Sequence, residues 1–142
     1  MAGDMNSKRI QEHLVAVVRT VPIMKTLGMT LEYDADGNAV FKMPSNRNFD
    51  HGMKDTHGGI FATLLDSAGW FTVAAQCGKV VVTSDLHVRM LEPAKQQDLV
   101  ATGKLVRAGS KAAVAEMKVH SASGELLAVG TASFTFVADI PL

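Results

Sequence analysis

Apolar residues first recur at helical spacing. In residues 7–19, Ile10, Leu14, Val17 and Val18 fall at intervals of four, three and one, which predicts one face of a helix. Asp4, Asn6 and Ser7 are candidate N-caps, and Pro22 is expected to end the segment. Residues 30–33 and 39–43 then flank Asp34-Ala35-Asp36-Gly37-Asn38, a hairpin in which Asp36-Gly37 supplies the positive backbone dihedrals of the turn. Residues 45–56 are polar and predict an irregular loop. Residues 60–75 are apolar almost all round, as in a helix buried on most sides, and Gly78 is its natural stop. From residue 79 the period changes to two. Val80, Val82, Leu86, Val88 and Met90 share one face, with Ser84 interrupting, and Val81, Thr83, Asp85, His87 and Arg89 share the other. Residues 99–107, 112–120 and 126–137 continue as strands, and the short links between them predict an antiparallel meander. The inventory predicts an α+β fold: an antiparallel sheet wrapped around one long central helix, with an extra N-terminal helix. A helix bundle does not explain the period-two runs, and a doubly wound sheet needs more helices between strands.

Composition narrows the class. With 142 residues, 47% of them hydrophobic and 20% charged, the chain suits a single domain over residues 1–142, with residues 1–22 as a helical extension. Fourteen basic residues balance fourteen acidic ones, so net charge gives no pull toward nucleic acid or an anionic membrane, and neither partner is expected. The single Cys77 excludes an intramolecular disulfide and a multi-cysteine zinc site, and it accords with a cytoplasmic location. The first residues lack an uninterrupted apolar core, so no secretory signal is expected. The apolar stretch 59–75 contains Asp66 and is shorter than the ~20 residues of a spanning helix.

Asp66 is the sharpest chemical feature. A carboxylate inside an apolar helix is costly unless paired, hydrogen-bonded or protonated, so it is either a bonded structural residue or a site acid. Gly59, Ala62 and Gly69 make a small-residue stripe beside it, and Thr63, Ser67 and Trp70 complete its surroundings. His57-Gly58-Gly59 opens the same helix. Its unpaired amides at the positive end of the dipole suit a polarised carbonyl or a developing oxyanion, although a tight turn into a helix reads the same way. Gly58 and Asp66 are eight residues apart, about 12 Å along a helix axis. One small group does not easily touch both in one chain, which predicts a homodimer with sites at the interface. Lys104, Arg107 and Lys111 cluster about the turn holding Gly109 and Ser110, either a phosphate contact or a solvated hairpin end. His51, His57 and His87 lack metal-ligand spacing, no metal site is expected, and Cys77 reads as packing.

The segments HGGIFATLLDSAGW, VTSDLHVRMLEPA, GKLVRAGSKAAVAEMKV and GELLAVGTASFTF resemble the PaaI-like group of hot-dog-fold acyl-CoA thioesterases, over about residues 28–137. The resemblance implies the hot-dog fold, and hydrolysis of an acyl-CoA thioester to a free acid and coenzyme A without metal or organic cofactor. It places the catalytic carboxylate, nucleophile or general base, at Asp66. It places the carbonyl-polarising amide at Gly58, a positioning histidine at His57 and a water-assisting hydroxyl at Thr83. It implies coenzyme A contacts about Pro93, Arg107, Ser110 and Lys111, and Gly59, Phe61 and Trp70 are further expected substrate contacts. It also implies a homodimer that pairs into a tetramer. Two positions depart from the pattern. His51 stands where the group often has Asn or Gln, and Thr83 has the wrong strand parity unless a twist or bulge turns it inward. Phe61, Leu65, Trp70 and Met53 are expected about the acyl group. A non-catalytic acyl-CoA-binding or regulatory module, a hot-dog hydratase or dehydratase, and a structural protein are the alternatives.

Overall fold

The computed structural model describes residues 2–142, with side chains from residue 5 onward. In chain order it has α1 (Ala2–Val18), α2 (Pro22–Leu27), β1 (Thr30–Tyr33), β2 (Ala39–Met43), a 3-10 turn (Arg47–Phe49), α3 (Gly58–Cys77), β3 (Lys79–Met90), β4 (Leu99–Ala108), β5 (Ala112–Ser121) and β6 (Leu126–Asp139). α1 buries Ile10, Leu14 and Val18, while Val17 is only half-buried. Asp4, Asn6 and Ser7 lie inside this helix rather than at its cap. Pro22 does not simply stop α1: it opens α2, where its missing N–H falls in the first turn and costs nothing.

The predicted hairpin forms between β1 and β2. Of the pair expected to take positive φ, only Gly37 does (+80°). The Asp34 carboxylate holds the turn by accepting from Asp36 N–H and Asn38 N–H, both at 2.9 Å. Gly78 ends α3 in the left-handed region at φ 65°, as the sequence predicts.

The six strands make one antiparallel sheet in the order β1-β2-β4-β5-β6-β3. The meander holds for β4, β5 and β6. β3 departs from it, crossing over to pair with β6 and forming the far edge. α3 lies across β2, β3, β4, β5 and β6, and its Leu64, Leu65, Ala68 and Val73 are completely buried in the same core as Phe41 and Phe134. The approach is close at Gly103, where a Cβ would collide with the Ala68 carbonyl and stand 2.6 Å from Thr72 Oγ1. Two polar ties fix the helix against the hairpin. Tyr33 Oη donates to the Phe71 carbonyl at 2.8 Å, and buried Thr72 Oγ1 accepts from Ala39 N–H at 2.9 Å. Among the described residues, no helix is long and apolar enough to cross a membrane.

β3 does not keep one parity. Thr83 pairs with Phe134, Asp85 with Ser133 and Leu86 with Ala132, so Ser84 is an extra, bulged residue. Val81 and Thr83 therefore face the helix before the bulge, and Leu86, Val88 and Met90 face it afterwards. The expected grouping of Val80 and Val82 with Leu86 is corrected by this single insertion, and Val82 is 52% exposed.

Candidate active site

α3 begins at Gly58 because His57 caps it: His57 Nδ1 accepts the Gly59 N–H at 2.9 Å. That bond requires an unprotonated Nδ1, so the neutral ring carries its proton on Nε2. Among the described residues no acceptor takes the Gly58 N–H. It therefore presents a free donor at the positive end of a 20-residue helix. The loop before it is fixed by backbone bonds. Asp50 and Thr56 form a bridge, His57 N–H donates to Phe49 O at 2.9 Å, and Thr56 N–H donates to Ala94 O at 3.0 Å. His51 Nδ1 accepts from Met53 N–H at 3.1 Å.

These elements border an open cavity of about 260 Å³ beside the helix N-terminus, lined among others by His51, Gly58, Phe61, Met90, Glu92 and Pro93. Four of the expected residues, His51, Gly58, Phe61 and Pro93, are thus brought together. Met90 was not anticipated: a Cβ on Gly58 would stand 2.7 Å from its Cε and 2.8 Å from its Sδ. Its signal was its place as the last apolar residue of the β3 run. Larger grooves run beside α1, and none of the expected site residues lines them.

Asp66 lies two turns further along α3, half-buried, and does not line that cavity. Thr83 Oγ1 donates to Asp66 Oδ1 at 2.7 Å, so the bulge supplies the turn that Thr83 required. Thr63 and Ser67, expected about Asp66, bond instead to carbonyls one turn back, Thr63 Oγ1 to Gly59 O and Ser67 Oγ to Thr63 O. The small-residue stripe is also redrawn. Gly69 is packed under Met117 and Phe134 of the chain's own sheet. The incompletely covered stripe of α3 runs through Gly59, Ala62, Thr63, Asp66 and Trp70 instead. Asp66 is therefore less buried within one chain than its apolar neighbours suggest. Neither ion pair among the described residues, Lys42–Glu32 or Lys79–Asp139, touches it.

Trp70 stands one turn beyond Asp66, tilted against Phe71 with ring centroids 4.8 Å apart. Leu65 is fully buried in the core and Met53 is 82% exposed, so neither joins the cavity as expected. Arg107, Ser110 and Lys111 are exposed about the β4–β5 turn and join neither the cavity nor Asp66. Burial pushes the half-buried Cys77 thiol up, which fits a packing role.

The sequence profile of the Thioesterase superfamily matches residues 53–128, more than half of the chain and a span that includes Gly58, Asp66 and Thr83. The chain belongs to the thioesterase superfamily. Two curated relatives extend the match. A provisionally named esterase of Halobacterium salinarum is 36% identical over 130 residues, covering 82% of this chain and 85% of its own. The medium/long-chain acyl-CoA thioesterase YigI of Escherichia coli is 29% identical over 131 residues, covering 80% and 84%. Among solved structures, a Bacillus halodurans protein determined with CoA superposes with a TM-score of 0.77 at 30% identity, covering 84% of this chain and 81% of that one. The PaaI protein of the Escherichia coli phenylacetic acid degradation operon superposes with a TM-score of 0.84 at 20% identity, over 95% and 96%. The architecture is the hot-dog fold, as the resemblance implies: a six-stranded antiparallel sheet about α3 with an added N-terminal helix.

Proposed function

We propose that this superfamily member hydrolyses acyl-CoA thioesters, with Asp66 as the reacting carboxylate and the Gly58 N–H as the group that polarises the carbonyl. The observation that carries the reading is the Thr83–Asp66 hydrogen bond at 2.7 Å on a helix whose first N–H is free. The CoA bound to the Bacillus halodurans protein and the name of YigI support the substrate class. The Thr83 hydroxyl occupies one carboxylate oxygen and leaves Oδ2 to react. In one route Oδ2 takes a proton from water as the water oxygen adds to the carbonyl. In the other Oδ2 itself adds, and water later cleaves the anhydride. In both, the Gly58 N–H and the helix dipole stabilise the oxyanion, the C–S bond breaks, and coenzyme A leaves as thiolate.

Two copies complete the site in this reading. Along α3, Gly58 and Asp66 are separated by about 12 Å. The partly uncovered stripe about Asp66 and the free edge of β3, where Val82 and Met90 are 52% and 53% exposed, offer the surface for a second copy. Pairing of such dimers into tetramers, and coenzyme A contacts at Arg107, Ser110 and Lys111, are expectations that the resemblance adds. A cytoplasmic location accords with the single Cys77.

Thiol release from a panel of aromatic and aliphatic acyl-CoAs tests the proposal. Wild type should release coenzyme A, and Asp66→Asn should lose at least a hundredfold in kcat while keeping its fold. Near-full activity in Asp66→Asn would remove Asp66 from the chemistry. Saturable acyl-CoA binding without release, by a folded wild type, would favour a binding module instead.

A further inference from the structure

We infer that Ser84 and Asp85 are positioning residues, which hold the β3 bulge in place and so aim Thr83 at Asp66. The inference rests on the proposed role of Asp66. Thr83 and Leu86 are three positions apart, so in a regular strand they would face opposite sides of the sheet. Here both face α3: Thr83 opposite Phe134, which is fully buried, and Leu86 opposite Ala132, which is 1% exposed. The extra residue Ser84 reconciles them.

A bulge interrupts the ladder, and the interrupted backbone groups need other partners. On β6, Ser133 stands opposite Asp85, next to the extra residue, and both of its backbone groups meet bulge side chains. Ser84 Oγ donates to the Ser133 carbonyl at 3.0 Å, and Asp85 Oδ1 accepts the Ser133 N–H at 3.3 Å. Both side chains are exposed and neither touches Asp66. Their contribution is to register. If the bulge is lost while Leu86, Val88 and Met90 keep their register, Thr83 takes the opposite parity and its hydroxyl leaves the helix face. Regular pairing needs neither side chain, whereas this bulge uses both. A Ser-Asp pair directly after Thr83 is therefore the local chemistry that lets a single strand present Thr83, Leu86 and Met90 to the same side.

A kinetic double-mutant cycle tests the assignment, with Asp85→Ala and Thr83→Val made singly and together and the dimer mass followed in each. Asp85→Ala should lower kcat about tenfold with KM little changed. It should add nothing in the Thr83→Val background. Asp85→Asn, which keeps an acceptor for the Ser133 N–H, should retain most of the wild-type kcat, and Ser84→Ala should show a smaller loss in the same direction. Wild-type kcat in Asp85→Ala would overturn the inference, as would an equal loss in both backgrounds. If Asp85→Ala does not fold, Ser84→Ala takes its place in the cycle under the same criteria. If wild type releases no thiol from any acyl-CoA, the proposed function fails, and a crystal structure of the variant decides this point alone. Thr83 Oγ1 displaced beyond hydrogen-bonding distance of Asp66 supports it, and an unchanged Thr83–Asp66 bond overturns it.

Discussion

At the scale of single residues, the proposed reaction depends on two groups of α3, the Asp66 carboxylate and the Gly58 N–H. The amide can be removed with little harm to the helix. Gly58 is the first helical residue, where proline is well tolerated, and His57 already has the extended backbone (φ −59°, ψ 137°) that a following proline requires. Gly58→Pro should keep the helix and lower kcat by about 10²–10³, as loss of an oxyanion donor does elsewhere. Steady-state kinetics with far-ultraviolet circular dichroism checks both halves. The added ring would press on Met90, so Gly58→Pro is compared with and without Met90→Ala. Unchanged kcat would remove the amide from the mechanism. Asp66 was legible in the sequence because a carboxylate stands out in an apolar run. Thr83 was not legible from periodicity, which placed it on the outer face. Only the resemblance named it, because a bulge is set by pairing with β6 and leaves no more in the local pattern than the interruption at Ser84.

At the scale of elements, periodicity located α1 and the long strands, the turn residues located the hairpin, and the unbroken apolar run located α3. It missed α2, whose six residues PIMKTL are too short to show a period. It also missed the crossing of β3 to β6, a long-range pairing that short connections cannot reveal. The ties between elements carry a prediction of their own. Tyr33 joins β1 to α3 through the Phe71 carbonyl, and burial raises the pKa of its hydroxyl well above the usual tyrosine value. Tyr33→Phe should lower stability by about 1 kcal/mol near neutral pH. The raised folded value means that the unfolded chain releases this proton first, from about pH 10. The contribution is therefore complete below that pH and is lost as pH rises beyond it. Urea unfolding at pH 8 and pH 10.5 should show a larger alkaline loss for wild type than for Tyr33→Phe. Equal losses would mean that Tyr33 ionises as freely in the folded protein as in the unfolded chain.

At the scale of the whole molecule, the two groups proposed to act on the thioester stand two turns apart on one helix. The cavity at its N-terminus collects His51, Gly58, Phe61 and Pro93, while Asp66 sits outside it on the partly uncovered stripe of α3, bonded to Thr83 of β3. The sequence made this separation visible through the eight-residue spacing alone. It did not show which surface is left open, because Gly69, which looked available, packs into the chain's own sheet. The central claim is that the amide of one copy and the carboxylate of another act on one thioester. Mixed dimers of Asp66→Asn and Gly58→Pro chains, isolated by separate tags and assayed for thiol release, test it most directly. If the site spans two chains, each mixed dimer holds one intact site and should regain about half the wild-type rate, although both parents are inactive. Mixed dimers as inactive as their parents would contradict the shared site.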